Sequence, residues 1–249
     1  MPPIKTEGFV LKRIDFRETS VILTLFTKEL GKIKGILKGV RKENSKISPL
    51  TFSEGAYIHS ILYKRKSGLN LLSSPLLIDF PNYEKKISFK IYFWILKLID
   101  LFISENQTDE NIFSLLDKTM KILKVTNKPW LIFLGFKIKL IGFLGYGIRT
   151  DICCKCNKYK KISFFSPKMG GVICKECGKE EINCIKITNK VNSIIKFIKK
   201  TDLKNIENLN IKKEEGEKIN FLGNLTIYYH TNLDFIWWKN EKNIFRGDY

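Results

Sequence analysis

A chain of 249 residues is long enough for one large domain or two small ones, each with its own core. Hydrophobic residues make up 44% and aromatic residues 12%, which excludes a disordered chain. Lys and Arg number 44 against 25 Asp and Glu, a formal charge of +19 spread along the whole sequence. Either a lysine-rich compositional bias or a polyanionic partner accounts for it, and the partner would be nucleic acid or an acidic membrane surface. The richest apolar stretch, residues 89–103, is broken by Lys90 and Lys97 and falls short of the roughly 18 uninterrupted residues of a membrane span. The first residues lack the apolar run of a secretory signal, so a cytoplasmic protein with no membrane partner is expected.

Residues 1–80 read as strands. Apolar and β-branched runs at 6–11, 20–27, 33–40, 54–63 and 69–72 are separated by turn signals at 28–31, 44–46 and 66–68. Five short strands in this length predict a small closed barrel of the OB type, although an SH3-like barrel has a similar signature. After Pro81 the period changes. Apolar residues at 87, 91, 94, 95, 98 and 102 predict a helix over 83–103. Thr108 or Asp109 can cap a second helix reaching about Val125, and Asn127-Lys128-Pro129 breaks it. Residues 130–144 form a third helix, apolar enough to be buried on most sides and ended by Gly145-Tyr146-Gly147. Helical spacing returns at 189–200 and 213–230. The fold class is therefore α+β. An OB-type barrel (1–80) precedes a helical domain (81–150 and 185–249), and a cysteine-rich segment (151–184) is inserted into the latter.

All six cysteines, at positions 153, 154, 156, 174, 177 and 184, fall within that insertion. Disulfides would staple the whole chain, whereas clustering favours a metal. Cys153-Cys154-Lys155-Cys156, then 17 residues, then Cys174-Lys175-Glu176-Cys177 is a double CxxC. Two residues between thiolates let a tight turn aim both sulfurs at one ion, and two such turns complete a tetrahedral shell. We assign Cys153, Cys156, Cys174 and Cys177 as ligands of a structural Zn2+, with Cys154 and Cys184 as spares. An iron–sulfur cluster is the competing occupant. A full four-sulfur shell leaves no open position for catalysis.

Catalytic signatures are missing. The two histidines, His59 and His230, begin neither an H-x-E nor an HExxH motif. Gly31-Lys32-Ile33 and Gly178-Lys179-Glu180 lack the Ser or Thr of a P-loop, and the glycines of 142–147 are ordered wrongly for a dinucleotide fingerprint. His59, between Tyr57 and Ile61 on a strand, reads as structural. A non-enzyme is expected. The stretch 28–46 instead carries seven basic residues against Glu29 and Glu43, alternating with apolar ones before a glycine turn. On a strand, Lys32, Lys34 and Lys38 should line one solvated face. That face is either a sheet edge guarded by lysines or a phosphate-tracking groove for a single strand. The groove would use Lys32, Lys34, Lys38, Arg41, Lys42 and Lys46, with Phe9, Phe16, Phe26 and Tyr63 as possible stacking surfaces.

Several stretches in order resemble the RecO family of bacterial recombination mediators. They are Glu7-Gly-Phe-Val-Leu11, then Phe16-Arg-Glu-Thr-Ser-Val-Ile-Leu-Thr-Leu-Phe-Thr27 with Gly31, and Lys38-Gly-Val-Arg-Lys42 with Ser45. Leu140-Ile-Gly-Phe-Leu-Gly-Tyr146 and Phe165-Ser-Pro-Lys-Met-Gly-Gly-Val-Ile-Cys174-Lys-Glu-Cys177 complete the set. The resemblance implies an OB fold, a helical domain and an inserted zinc finger. It also implies binding of single- and double-stranded DNA, annealing of complementary strands and assistance in RecA loading at the nucleoid. The partners it implies are RecR and the acidic tail of single-strand-binding protein. Such a tail needs an apolar pocket rimmed with cations, for which Phe143, Tyr146 and Arg149 are the candidates. Residues after Cys184 match the family poorly. A zinc-ribbon protein acting on RNA is the alternative reading.

Overall fold

In the computed structural model, residues 2–231 and Glu241 are described, so the last part of the expected 185–249 helical segment lies outside the described residues. The chain forms two compact units, Met1–Ser114 and Leu115–Tyr249. In the first, β1 (Ile4–Phe16), β2 (Ser20–Thr27), β3 (Gly31–Leu37), β4 (Tyr57–Tyr63) and β5 (Asn70–Asp79) close into an OB-like barrel in the order β1-β2-β3-β5-β4. The β3–β5 seam is parallel and the other four are antiparallel.

Strand β1 is longer than the 6–11 expected because it serves two seams. Ile4–Phe9 pair with β4 and Gly8–Phe16 with β2, with a register shift between Val10 and Lys12 where the strand bends. Strand β5 runs through Pro75, which cannot donate to a ladder. It is accommodated where the register against β4 slips, between His59 and Ile61, beside Ser74 at φ +47°. Inward-facing residues, among them Val10, Val21, Leu23, Leu25, Ile33, Leu37, Ile58, Leu62 and Leu72, form the barrel core.

Helix α1 (Lys86–Phe102) buries Ile91, Trp94, Ile95 and Leu98 of the positions its spacing predicts, leaves Ile87 and Phe102 half-buried and buries Ile99 besides, and the Tyr92 hydroxyl donates to the Gly55 carbonyl (2.6 Å). The following segment lies beside β3, where the Asn106 N–H donates to the Lys32 carbonyl (2.7 Å). The approach requires glycine at 31: its φ is +66°, and a Cβ would stand 1.9 Å from the Gln107 carbonyl oxygen. Asp109 caps helix α2 (Glu110–Val125) by accepting from the Asn111 and Ile112 N–H groups (2.9 and 3.0 Å). Phe113, in the first turns of α2, packs against Phe9 and Phe26 with ring centres 6.1 and 5.7 Å away.

The second unit is built around α3 (Pro129–Ile141), apolar on all sides and buried along nearly its whole length. Proline at its first position and the wide turn Gly142–Tyr146 bound it. By length and composition, residues 129–146 could cross a membrane, with a mean hydropathy of 1.3, but 61% of that window is buried within the protein. Helices α5 (Asn189–Lys200), α6 (Leu203–Ile206) and α7 (Lys213–His230) pack on α3, as the sequence requires if neither helical set can bury its apolar surface alone. Between α3 and α5, strands β6 (Ile162–Ser166), β7 (Gly171–Cys174) and β8 (Ile185–Lys186) form a small sheet in the order β7-β6-β8, with the short helix α4 (Lys175–Lys179) after β7.

Candidate nucleic-acid interface and metal centre

The register of the barrel decides what its outer face presents. Because Val21, Leu23, Ile33, Leu37, Leu62 and Leu72 point inward, their neighbours point out. Direct cross-strand pairing aligns Ile14, Ile22, Ile36, Leu71 and Tyr63 in one row across all five strands. The ends of the row are open, Ile14 at 47% and Tyr63 at 40% exposure, while Ile36 in the middle is buried. On one side runs the row Lys12, Thr24, Lys34. On the other lies an open cleft of about 790 Å3 whose lining includes Phe16, Arg17, Glu18, Lys38, Gly39 and Lys42. An apolar strip with cationic margins can carry unpaired bases and hold the phosphates that flank them.

The six basic residues expected to face this groove divide into two groups. Lys38 and Lys42 line the cleft and Lys46 is exposed, and among the described residues none of the three has an ion-pair partner. The expectation that Lys32 lies on a solvated face is corrected. It is only 9% exposed, with its ammonium 2.7 Å from the Asp100 carboxylate, and the segment after α1 bridges to its backbone through Glu105 and Asn106. Lys34 is exposed but pairs with Glu105. Arg41 spends its fork on the protein: Nη1 donates to Asp15 (2.7 Å) and Nη2 to the Arg17 carbonyl (2.5 Å), while its own N–H donates to the Thr19 carbonyl (2.9 Å). Arg41 thereby ties the turn after β3 to the β1–β2 turn that forms the other wall of the cleft.

Of the candidate stacking residues, Phe9 and Phe26 are buried under Phe113, which leaves the half-buried Phe16 and the exposed Tyr63. Sequence reasoning missed Lys12, Arg17 and the apolar row. It also missed the exposed loop Lys64-Arg65-Lys66 between β4 and β5. The run of three basic residues was a signal for that loop, but the row had none until the bulge in β1 set the register. His59 pairs across the strands with Glu7, its Nδ1 3.7 Å from the carboxylate, and has the structural place expected.

In the second unit the sulfurs of Cys153, Cys156, Cys174 and Cys177 all lie within 4.8 Å of one another, a cluster that could hold a metal ion. Cys153 and Cys174 are fully buried. Burial by itself raises the Cys153 thiol. The backbone N–H groups of Cys156, Cys174 and Lys155 outweigh it and bring that thiol down to about 6. Cys177, hydrogen-bonded to Cys174 and crowded by the remaining thiols, is pushed up to about 12. Four sulfurs this close cannot all be thiolates without a cation among them, and the all-sulfur donor set suits a tetrahedral soft-metal site. Cys154 stands outside the cluster: its N–H donates to the Val172 carbonyl (2.8 Å) and its sulfur lies against Gly171. Cys184 packs against the cluster without joining it.

Phe143 and Tyr146 are exposed on the wide turn after α3, and Tyr146 stacks on His230 with ring centres 6.1 Å apart. Arg149 is exposed three residues on, its backbone bridged to β7 through Gly170 and Val172.

The fold is thus an OB-like barrel with a cation-margined outer face, followed by a helical unit carrying a four-cysteine centre. Comparison with known proteins agrees along most of the chain. The family model described as recombination protein O N terminal matches residues 1–80, and that described as recombination protein O C terminal matches residues 91–233. The DNA repair protein RecO of Caldicellulosiruptor saccharolyticus is 35% identical over 216 residues, covering 84% of this chain and 86% of the relative. That of Caldicellulosiruptor bescii is 32% identical over 226 residues (88% and 89%), and that of Clostridium novyi 30% over 222 residues (86% and 84%). The chain belongs to the RecO family of DNA repair proteins.

Proposed function

We propose that this chain is a non-catalytic recombination mediator that binds single- and double-stranded DNA, anneals complementary strands and assists RecA loading in the cytoplasm. The observation that carries the reading is the apolar row of the barrel, Ile14 to Tyr63, set between Lys12 and Lys34 on one margin and Arg17, Lys38 and Lys42 on the other. The lysines contact phosphates without reading bases, so binding is general in sequence and sensitive to salt. The Lys64-Arg65-Lys66 loop, whose first two residues line a cleft with Lys34, extends the cationic margin, the exposed Lys46 adds to the charge of the barrel, and Arg41 acts by positioning the cleft wall. In the helical unit the metal is a structural zinc held by Cys153, Cys156, Cys174 and Cys177. It replaces the core that a loop of this length cannot build.

Replacing Lys38 and Lys42 by Glu tests the interface. Affinity for single strands should fall for all sequences alike, and the dependence of log affinity on log salt should flatten by about 1.4, at −0.7 per lost phosphate contact. Thermal stability should stay within about 0.5 kcal/mol of the parent, since neither lysine is buried or paired. Unchanged affinity and slope would reduce these lysines to guards of a sheet edge. The same measurement with RNA of identical sequence separates this reading from an RNA-binding one.

The protein partners of this reading are RecR and the acidic tail of single-strand-binding protein. The exposed pair Phe143 and Tyr146, with Arg149 nearby, suits a short peptide that ends in an apolar side chain and carries carboxylates. Titrating such a peptide against an Arg149→Glu variant should weaken binding about tenfold, the effect expected from losing and then reversing a charge-assisted contact. Undiminished binding would remove Arg149 from the site.

A further inference from the structure

The loop between the first cysteine pair and β6 presents one aromatic ring almost wholly to solvent. Tyr159 is 87% exposed within Asn157-Lys158-Tyr159-Lys160-Lys161. A large ring this open forgoes the burial that normally stabilises it, and it stands in a run of cations. The loop is nevertheless held at its base. The Cys153 N–H donates to the Lys158 carbonyl (3.2 Å), and the Asn157 N–H donates back to the Cys153 carbonyl (2.9 Å). Asn157 closes the turn in the left-handed region at φ +55°, which asparagine tolerates. Since Cys153 and Cys156 belong to the four-sulfur cluster, the turn that displays Tyr159 is the turn that faces the metal site.

The charges around the ring are unevenly spent. Lys155 pairs with Glu180 and Glu181 at 3.3 and 3.7 Å, and Lys160 with Glu176 at 3.4 Å. Among the described residues, Lys158 and Lys161 have no ion-pair partner and stand free on either side of Tyr159. A projecting ring with an unpaired cation on each side complements one unpaired base with its two neighbouring phosphates.

We infer that Tyr159, with Lys158 and Lys161, is a second contact for single-stranded nucleic acid, carried by the metal-bearing unit and separate from the barrel face. The inference rests on the nucleic-acid reading of the chain and extends it: each unit has its own strand-holding surface, so one molecule can engage two unpaired strands.

The test uses the full chain with its metal, in a Lys38→Glu/Lys42→Glu background that weakens the barrel contact. The probe is a 20-nucleotide oligothymidine, free or paired with oligoadenosine. Adding Tyr159→Ala should weaken the remaining single-strand binding about tenfold, the range of one base–aromatic stack. Tyr159→Phe should keep that binding, and duplex binding should move little. An oligonucleotide carrying 5-iododeoxyuridine should photo-crosslink at Tyr159. Residual binding unaltered by Tyr159→Ala, or no residual binding in the lysine background, overturns the second contact alone. If the unaltered chain binds neither probe, the nucleic-acid reading falls with it.

Discussion

Replacing Glu241 by alanine should destabilise the helical unit by about 3–5 kcal/mol, the largest loss we expect from any single substitution outside the metal centre. The Lys137 ammonium is completely buried in α3, where it donates to Asn220 (2.6 Å), Asn224 (2.7 Å) and the Glu241 carboxylate (2.5 Å). The other carboxylate oxygen of Glu241 accepts from the side-chain amides of the same two asparagines at 2.9 and 3.1 Å. Every partner in this network satisfies another. Removing the carboxylate leaves a cation in the core without its counter-charge, which is why the cost exceeds that of an ordinary surface ion pair.

The double variant Lys137→Met/Glu241→Leu provides the contrast. It removes both charges and should recover most of the stability lost in the single variant, as read by thermal melting. The pH dependence has a definite sign. Burial by itself would raise the Glu241 pKa, but the Lys137 charge and the amide donors outweigh it and hold the group below its ordinary value. The carboxylate therefore contributes stability above the ordinary glutamate pKa, and that contribution is lost as pH falls through the lowered folded value. A melting temperature of Glu241→Gln that fell with acid as steeply as the parent's would show that this residue is not the source.

Loss of the metal is the second large effect. Structural zinc contributes on the order of 10 kcal/mol to small sites of this kind, more than a typical domain's whole stability. Chelation, or Cys174→Ser, should therefore unfold the sheet of β6, β7 and β8 while leaving the barrel unit's melting transition in place. Metal analysis should find about one zinc per chain in the parent, little in Cys174→Ser, and the full amount in Cys154→Ser, since the Cys154 sulfur stands outside the cluster. Acid should release the ion, because protons compete with it for the four thiolates. Full zinc content in a Cys153/Cys174 double serine variant would overturn the ligand assignment.

Much of this was legible in the residues because the signals are local. Two CxxC pairs bring their sulfurs together by turn geometry alone, and the sulfur cluster contains Cys153, not its neighbour Cys154. Helical periodicity placed α5 at Asn189–Lys200 and α7 at Lys213–His230 because capping and amphipathic spacing are properties of adjacent turns. Five alternating runs with turn residues between them implied a closed barrel, since five short strands this close in sequence bury their apolar faces best by curling on themselves.

What the tertiary structure alone decided is which charges are free and which apolar residues face outward. Lys32 and Lys38 look equivalent in sequence, yet the first is sequestered by Asp100, which is 68 residues away, and the second is open. Arg41 looked like a ligand for phosphate but braces a turn through Asp15. Lys137 stands in a helix that its sequence marks as buried, and the carboxylate that holds it is 104 residues downstream. The apolar row of the barrel depends on one bulge between Val10 and Lys12, since a shift of a single residue exchanges the two faces of a strand. Pairing between distant segments leaves no periodic trace in the sequence: local pattern determined the elements and the four-cysteine cluster, while the meeting of remote segments decided where this chain keeps its charge.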